Sequence, residues 1–382
     1  MKSSKIKVIF SQQEKYLLIL VIISALFSFF KFSPNYFWDL NVYQNAVNIF
    51  NSGGSPYLDL DGLKFVYSPY ILILFSLLGK NLSLILILYY ISSSLLILKK
   101  NIGLKLILYS IISSLLFFND FFIKSIATGN LAIFLHFSIL NSAFIKPKKH
   151  LEVFLLTVAA CSLIKPYLFA YVFLGYALWP RKKNYFKLIV ITGISIALLF
   201  LSQFFFTPEL FRGFTESLYN QAIGDVNGPG RDVGKALYWI FANSLKRPYA
   251  LGLHFIIVIL LGKSFFNLGQ SVVKLIKNDD AEKLLFYICL ICITLINPRM
   301  KVYDYWIVLG SSVGIIFTLF LQPYFLSRKI KFLSLILTGL IFMFLDFPVI
   351  YKIYIPPSIS YFLCFYFYKT QKLSNNSLKR GI

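Results

Sequence analysis

Charge is what this sequence has least of. Only 14% of its 382 residues are charged, and just 15 of those are Asp or Glu. Soluble domains carry nearer a quarter, so a soluble globular fold is excluded, and 58% hydrophobic residues with mean hydropathy +0.73 indicate a polytopic membrane protein. Cysteine is also scarce: Cys161, Cys289, Cys292 and Cys364 all fall inside apolar runs, where a disulfide framework or zinc site is out of place. The Cys289/Cys292 CxxC lies mid-span without a second ligand pair and reads as packing. A nucleotide fingerprint is missing too, because the glycines of 224–230 follow no strand and open no βαβ unit.

Basic residues are plentiful, with 38 Lys and Arg giving a formal charge of +23. They sit in short clusters between apolar runs rather than on a polar domain, so they read as topology signals and contacts to anionic lipid headgroups, not as a nucleic-acid surface. At about 20 apolar residues per crossing, spans are expected near 15–36, 82–98, 103–119, 130–145, 151–164, 166–179, 185–206, 248–268, 283–297, 303–323, 331–347 and 354–368. The first reads as an uncleaved insertion signal, since its Lys-rich start is followed by no A-x-A-like site. Positive-inside bias at Lys2, Lys5 and Lys7, at Lys99, Lys100 and Lys105, at Lys146 to Lys149, at Arg181 to Lys187, at Lys274 and Lys277, at Arg328 to Lys331 and in the tail puts both termini in the cytoplasm. The segment Tyr70 to Leu78 must then lie in the outer leaflet after Pro69, because a further crossing would invert everything behind it. The expected fold is an all-α bundle of about 12 spans forming one domain, with outer loops 37–81 and 207–247 and a cytoplasmic tail 369–382.

Those outer loops hold most of the polar chemistry. The first carries Asp39, Tyr43, Tyr57, Asp59, Asp61 and Tyr67, with an amphipathic helix expected over 40–51 and Gly53-Gly54 ending it. The second opens at Pro208 with a helix-like run to Gln221, then turns through Gly224 to Asp232. A carboxylate where an apolar span leaves the bilayer is costly and usually marks a site, which singles out Asp39. It could equally be the N-cap of the 40–51 helix. Lys165 and Arg299, at outer ends of spans, could snorkel, with Asp304 a partner for Arg299 or Lys301. The tyrosines could form an interfacial belt. Asp59 and Asp61 read as a turn, since no calcium loop has their spacing. Asp225 and Asp232 read as loop carboxylates, and His136, His150 and His254 are scattered without an assigned role.

The motifs have a resemblance in common. Trp38-Asp39-Leu40-Asn41-Val42-Tyr43, Gly54-Ser55-Pro56-Tyr57 and Phe65-Val66-Tyr67-Ser68-Pro69 resemble the D-x-x-V-Y … G-x-P-Y … F-x-Y-x-P opening of glycosyltransferase family 87, within the GT-C superfamily. Thr128-Gly129-Asn130-Leu131 is similar to its G-Q-x-N-like turn, with Asn130 where Gln is usual. Ser162-Leu163-Ile164-Lys165-Pro166-Tyr167 is similar to its I-K-P motif, and Asn297-Pro298-Arg299 with Tyr303-Asp304-Tyr305 resembles its late S-P-x … H-x motif more loosely. The order and spacing run through residues 15–325.

The resemblance implies a GT-C-like inverting transfer of a hexose, mannose being the family's sugar, from a polyprenyl-phosphate donor to a hydroxyl of a lipid or glycan acceptor at the outer face of the plasma membrane. An attacking hydroxyl needs a base beside it, the role expected of Asp39. A departing lipid phosphate needs fixed cations, the role expected of Lys165 and Arg299. Substrate contacts are expected from Tyr43, Tyr57, Tyr67, Asn130, Arg231 and Asp304. No cofactor is expected besides the lipid-linked sugar, and no metal. Two other classes fit a polytopic basic chain: a lipid-linked oligosaccharide ligase or polymerase, for which Arg231 is the thin support, and a transporter or flippase, which would carry paired ionisable residues near mid-span.

Overall fold

The computed structural model describes residues 37–57, 65–117, 126–144, 151–178, 184–219, 241, 244–276, 278–297, 302–320 and 354–379. Among them all regular structure is helical, with no strand. In chain order the helices are α1 (Trp38–Asn51), α2 (Pro69–Leu78), α3 (Leu82–Leu98), α4 (Asn101–Phe117), α5 (Leu131–Phe144), α6 (Leu151–Ile164), α7 (Val172–Leu178), α8 (Tyr185–Phe206), α9 (Pro208–Tyr219), α10 (Arg247–Val273), α11 (Asn278–Leu295), α12 (Val302–Phe320) and α13 (Ile355–Lys379). The expected spans 15–36 and 331–347 lie outside the described residues.

Among the described residues three stretches are long and apolar enough to cross a membrane: Pro69–Leu98, Tyr185–Phe206 and Arg247–Val273. Their most apolar windows are only 28%, 11% and 22% buried inside the protein. Leu198, Leu201, Phe205, Leu260 and Leu261 are exposed along α8 and α10. Apolar surface on that scale needs lipid against it, so the chain is a helical membrane protein. Gly79 interrupts the first stretch with φ 52, in the left-handed region, and the chain makes a 3₁₀ turn over Gly79–Asn81 before α3. That turn sets the ten-residue α2, too short to span by itself, apart from α3.

The expected span 166–179 takes a different form. Lys165 is extended before Pro166, a six-residue 3₁₀ turn follows (Pro166–Tyr171), and α7 has only seven residues. Together these reach about 22 Å, short of a hydrocarbon core of about 30 Å.

Among the described residues α5 and α12 lie deep in the interior. α5 is buried on every side from Leu131 to Ala143 except at Ser138, as expected of a core helix. α12 packs against α4, α5, α11 and α13, and glycine spacing brings it close. A Cβ on Gly310 would fall 2.7 Å from the Leu106 carbonyl oxygen of α4, and one on Gly314 would fall 2.6 Å from Tyr287 of α11. This small-xxx-small spacing allows backbones to approach in a membrane bundle. Ser110 sits at the first contact and donates to the carbonyls of Leu106 (2.6 Å) and Trp306 (2.9 Å).

Candidate active site

Asp39 lies in the first turn of α1, whose N-cap is Phe37 at φ 60 with no side-chain cap bond. The capping alternative for Asp39 therefore falls away, because its backbone N–H donates outward to the Thr128 carbonyl (2.9 Å) and that of Phe37 to Ala127 (2.8 Å). These two bonds dock the start of α1 on the turn before α5. Gly129 forms that turn at φ 68, and its carbonyl accepts from the Tyr90 hydroxyl of α3 (2.7 Å). The positive φ favours glycine, and a Cβ at Gly129 would also sit tightly against Phe37 Cδ1 at 3.0 Å.

Asn130 joins the turn to the carboxylate. Its Nδ2 donates to Asp39 Oδ2 at 3.1 Å, while its Oδ1 accepts from the Ala132 N–H at 2.9 Å and caps α5. Asn130, expected as a substrate contact, is buried with both amide ends engaged. One helical turn beyond Asp39, Tyr43 accepts from the Leu131 N–H (3.1 Å) and shares a hydrogen bond with the Tyr67 hydroxyl (2.9 Å). Tyr57 donates to the Tyr67 carbonyl (2.9 Å).

The three tyrosines are no interfacial belt: Tyr43, Tyr57 and Tyr67 are 2%, 8% and 4% exposed. Tyr43 meets Tyr67 edge-on at 5.3 Å, and Tyr57 packs on Phe65 and on Phe214 of α9. Expected to stack on or bond a hexose, the three pack against one another beside Asp39. Burial, the main cause, pushes all three hydroxyls above the ordinary phenol range, and Asp39 adds to this at Tyr43 and Tyr67.

Tyr67 is the hinge between two halves of the site. The Lys165 Nζ stands 5.6 Å from its ring centroid, a cation–π contact, and Lys165 is 9% exposed, not snorkelling into solvent. The Ser68 hydroxyl donates to the Leu163 carbonyl (3.4 Å), tying the Phe65 to Pro69 segment to the end of α6 just before Lys165. The α2 side is fixed to α8, where the Tyr70 N–H donates to Gln203 (3.3 Å) and its hydroxyl pairs with Ser202 (2.8 Å). Tyr67 lies within electrostatic reach of both Asp39 and Asp304, and Asp304 within reach of Lys165.

Asp304 lies in the first turn of α12. It is 1% exposed, and its Oδ1 accepts from the Tyr167 hydroxyl at 2.6 Å and lies 3.0 Å from His136 Nε2. The described partners of this carboxylate are thus His136 and Tyr167; Arg299 and Lys301, the partners expected, lie outside the described residues, as do Arg231, Asp59, Asp61, Asp225 and Asp232. Sequence reasoning gave His136 no role. The available signal was an ionisable side chain inside an apolar span, which is costly enough to be a site by default. Among the described residues no group of three His, Cys, Asp or Glu could hold a metal ion.

The assembled groups comprise a carboxylate fixed by an amide donor, a buried ammonium and a second buried carboxylate, arranged around Tyr67. Such a set can accept a proton at one end and hold an anion at the other. No protein-family description, curated protein or solved structure matches this chain.

Proposed function

We propose that this chain is an inverting glycosyltransferase that moves a hexose, mannose by resemblance, from a polyprenyl-phosphate donor to a hydroxyl of a lipid or glycan acceptor. The reaction takes place at the outer face of the cytoplasmic membrane, with both termini inside. One observation carries the reading: Asp39, Asn130, Lys165 and Asp304, which come from four separate motifs of the resemblance, gather around Tyr43 and Tyr67.

The chemistry follows from the roles. The acceptor hydroxyl attacks C1 of the sugar, and its proton passes to an Asp39 carboxylate oxygen. The bond from C1 to the phosphate oxygen breaks, its electron pair stays with the lipid phosphate, and the anomeric centre inverts. A phosphate monoester of a lipid is a good leaving group, so charge stabilisation by Lys165, and by Arg299 in the full site, matters more than proton donation. Asn130 keeps the Asp39 carboxylate aimed, which limits the rotamers it would otherwise sample.

The test is transfer. Membranes containing the full chain are incubated with radiolabelled polyprenyl-phosphate-mannose and cell lipid extract, and labelled product is separated from donor. Label in a new lipid or glycan supports the proposal; no transfer from this or other lipid monophosphosugars refutes it. A transporter reading draws on the buried His136 and Asp304 pair, a feature transporters use, and predicts flux into sealed proteoliposomes without formation of a new glycosidic bond.

A further inference from the structure

We infer that His136 and Asp304 form a buried latch that positions Lys165 for a lipid-linked phosphate, an inference that rests on the reading of Lys165 as the phosphate-binding cation. The latch grips the turn that follows Lys165 at two points. Tyr167 donates to Asp304 Oδ1 at 2.6 Å, and the Tyr171 hydroxyl lies 2.8 Å from His136 Nδ1. His136 Nε2, 3.0 Å from the same Asp304 oxygen, closes the network between α5 and α12.

The turn needs such ties. A 3₁₀ run longer than three or four residues is uncommon because its hydrogen bonds are poorly aligned, yet Pro166–Tyr171 is six residues long. Pro166 forces Lys165 into an extended conformation (φ −134, ψ 100) and so ends α6 at this point. The Lys165 backbone is held from both sides, its N–H donating to Cys161 (2.9 Å) and its carbonyl accepting from Leu168 (3.0 Å). The direction in which the ammonium leaves the backbone therefore follows the turn, and the turn follows the latch.

Donor and acceptor roles within the network are mutually consistent. A carboxylate only accepts, so His136 donates from Nε2, and in the neutral ring Nδ1 accepts from the Tyr171 hydroxyl. His136, Tyr171 and Asp304 are each 1% exposed, and Trp306 meets the imidazole edge-on at 6.3 Å. A carboxylate at that depth requires a compensating cation, and Lys165 is within its reach. Asp304 thus adds an attractive charge in reach of the ammonium, while the latch fixes the backbone that carries it.

A purely structural His136 would have a different signature from a latch acting through Lys165. The experiment is a double-mutant cycle on the full chain in lipid nanodiscs, read as binding of undecaprenyl monophosphate. Lys165→Met and His136→Ala are each expected to weaken binding about tenfold or more, the size of one lost charge-assisted contact. The double variant is expected to bind no more weakly than Lys165→Met alone. Losses that multiply in the double variant, or an unaffected His136→Ala, would overturn the latch. If His136→Ala fails to fold, His136→Gln keeps a donor toward Asp304, and its binding is expected to fall between wild type and Lys165→Met; binding as weak as Lys165→Met with an intact fold would count against the latch. A wild-type protein that binds no lipid phosphate removes both this inference and the role of Lys165. Binding that follows the cycle without any hexose transfer leaves the latch standing and removes the transferase.

Discussion

Replacing Asn130 separates two jobs held by one side chain. Asn130→Ala removes the cap on the Ala132 N–H, a loss of about 1 kcal/mol, and also the donor to Asp39, where a hydrogen bond to a charged group contributes about 1.5–3 kcal/mol. Asn130→Ser retains a good cap and removes the amide N–H that reaches Asp39, since the shorter serine side chain ends one atom sooner. The cap acts locally, so a loss of about 1 kcal/mol opens the first turn of α5 roughly fivefold more often. Hydrogen exchange by mass spectrometry over residues 130–136 reads that opening, and hexose transfer reads the carboxylate. The expected result is faster exchange in Asn130→Ala alone, with transfer reduced in both variants. Equal exchange in wild type and Asn130→Ala would refute the capping geometry. Full transfer by Asn130→Ser would refute the idea that the amide aims Asp39.

Three further outcomes follow from the same region. Tyr43→Phe strips a buried hydroxyl that serves both the Leu131 N–H and Tyr67, so it should destabilise the protein by about 1–3 kcal/mol in denaturant titration, and a change below experimental error would contradict the network. Gly129→Ala puts a Cβ at φ 68 and 3.0 Å from Phe37; it should cost at least about 1 kcal/mol and lower transfer, whereas a neutral effect would show that the turn is not held left-handed. Burial raises the folded hydroxyls of Tyr43, Tyr57 and Tyr67 above their unfolded values, so their contribution is complete at neutral pH and is lost as pH rises past about 10, where the unfolded chain ionises. Ultraviolet titration should show part of the phenolate appearing only together with unfolding, and ionisation of all 25 tyrosines near pH 10 in a folded protein would contradict this.

Local signals in the sequence translated well. The helix expected at 40–51 forms as α1 and ends where Gly53, at φ 83, allows the Gly54 N–H to return to the Ile49 carbonyl. The 185–206 and 151–164 runs form helices with the expected bounds, and Pro208 opens α9. Turn chemistry and apolar length are properties of neighbouring residues, which is why they could be read. The network of His136 and Asp304 could not be read the same way, since the two belong to separate apolar runs that only the packing of α5 on α12 brings together. Burial of Tyr43, Tyr57 and Tyr67 was hidden for a related reason: tyrosine suits a wet interface and a hydrogen-bonded interior equally well. Asp39 looked like a cap because its spacing allowed it; the cap position belongs to Phe37, since the Asp39 N–H is drawn to Thr128.

The proposed reaction depends on Asp39 taking a proton. Asp39→Asn keeps the size of the side chain and an oxygen to accept from Asn130 Nδ2, so the fold and the start of α1 should persist, with unchanged hydrogen exchange over α1 and α5. Transfer from polyprenyl-phosphate-mannose by wild-type membranes, measured beside equal amounts of folded Asp39→Asn, is the most direct comparison. The account predicts a rate lower by about 10²–10⁴, the usual contribution of a positioned base, with donor binding retained. Transfer by Asp39→Asn at the wild-type rate would contradict it.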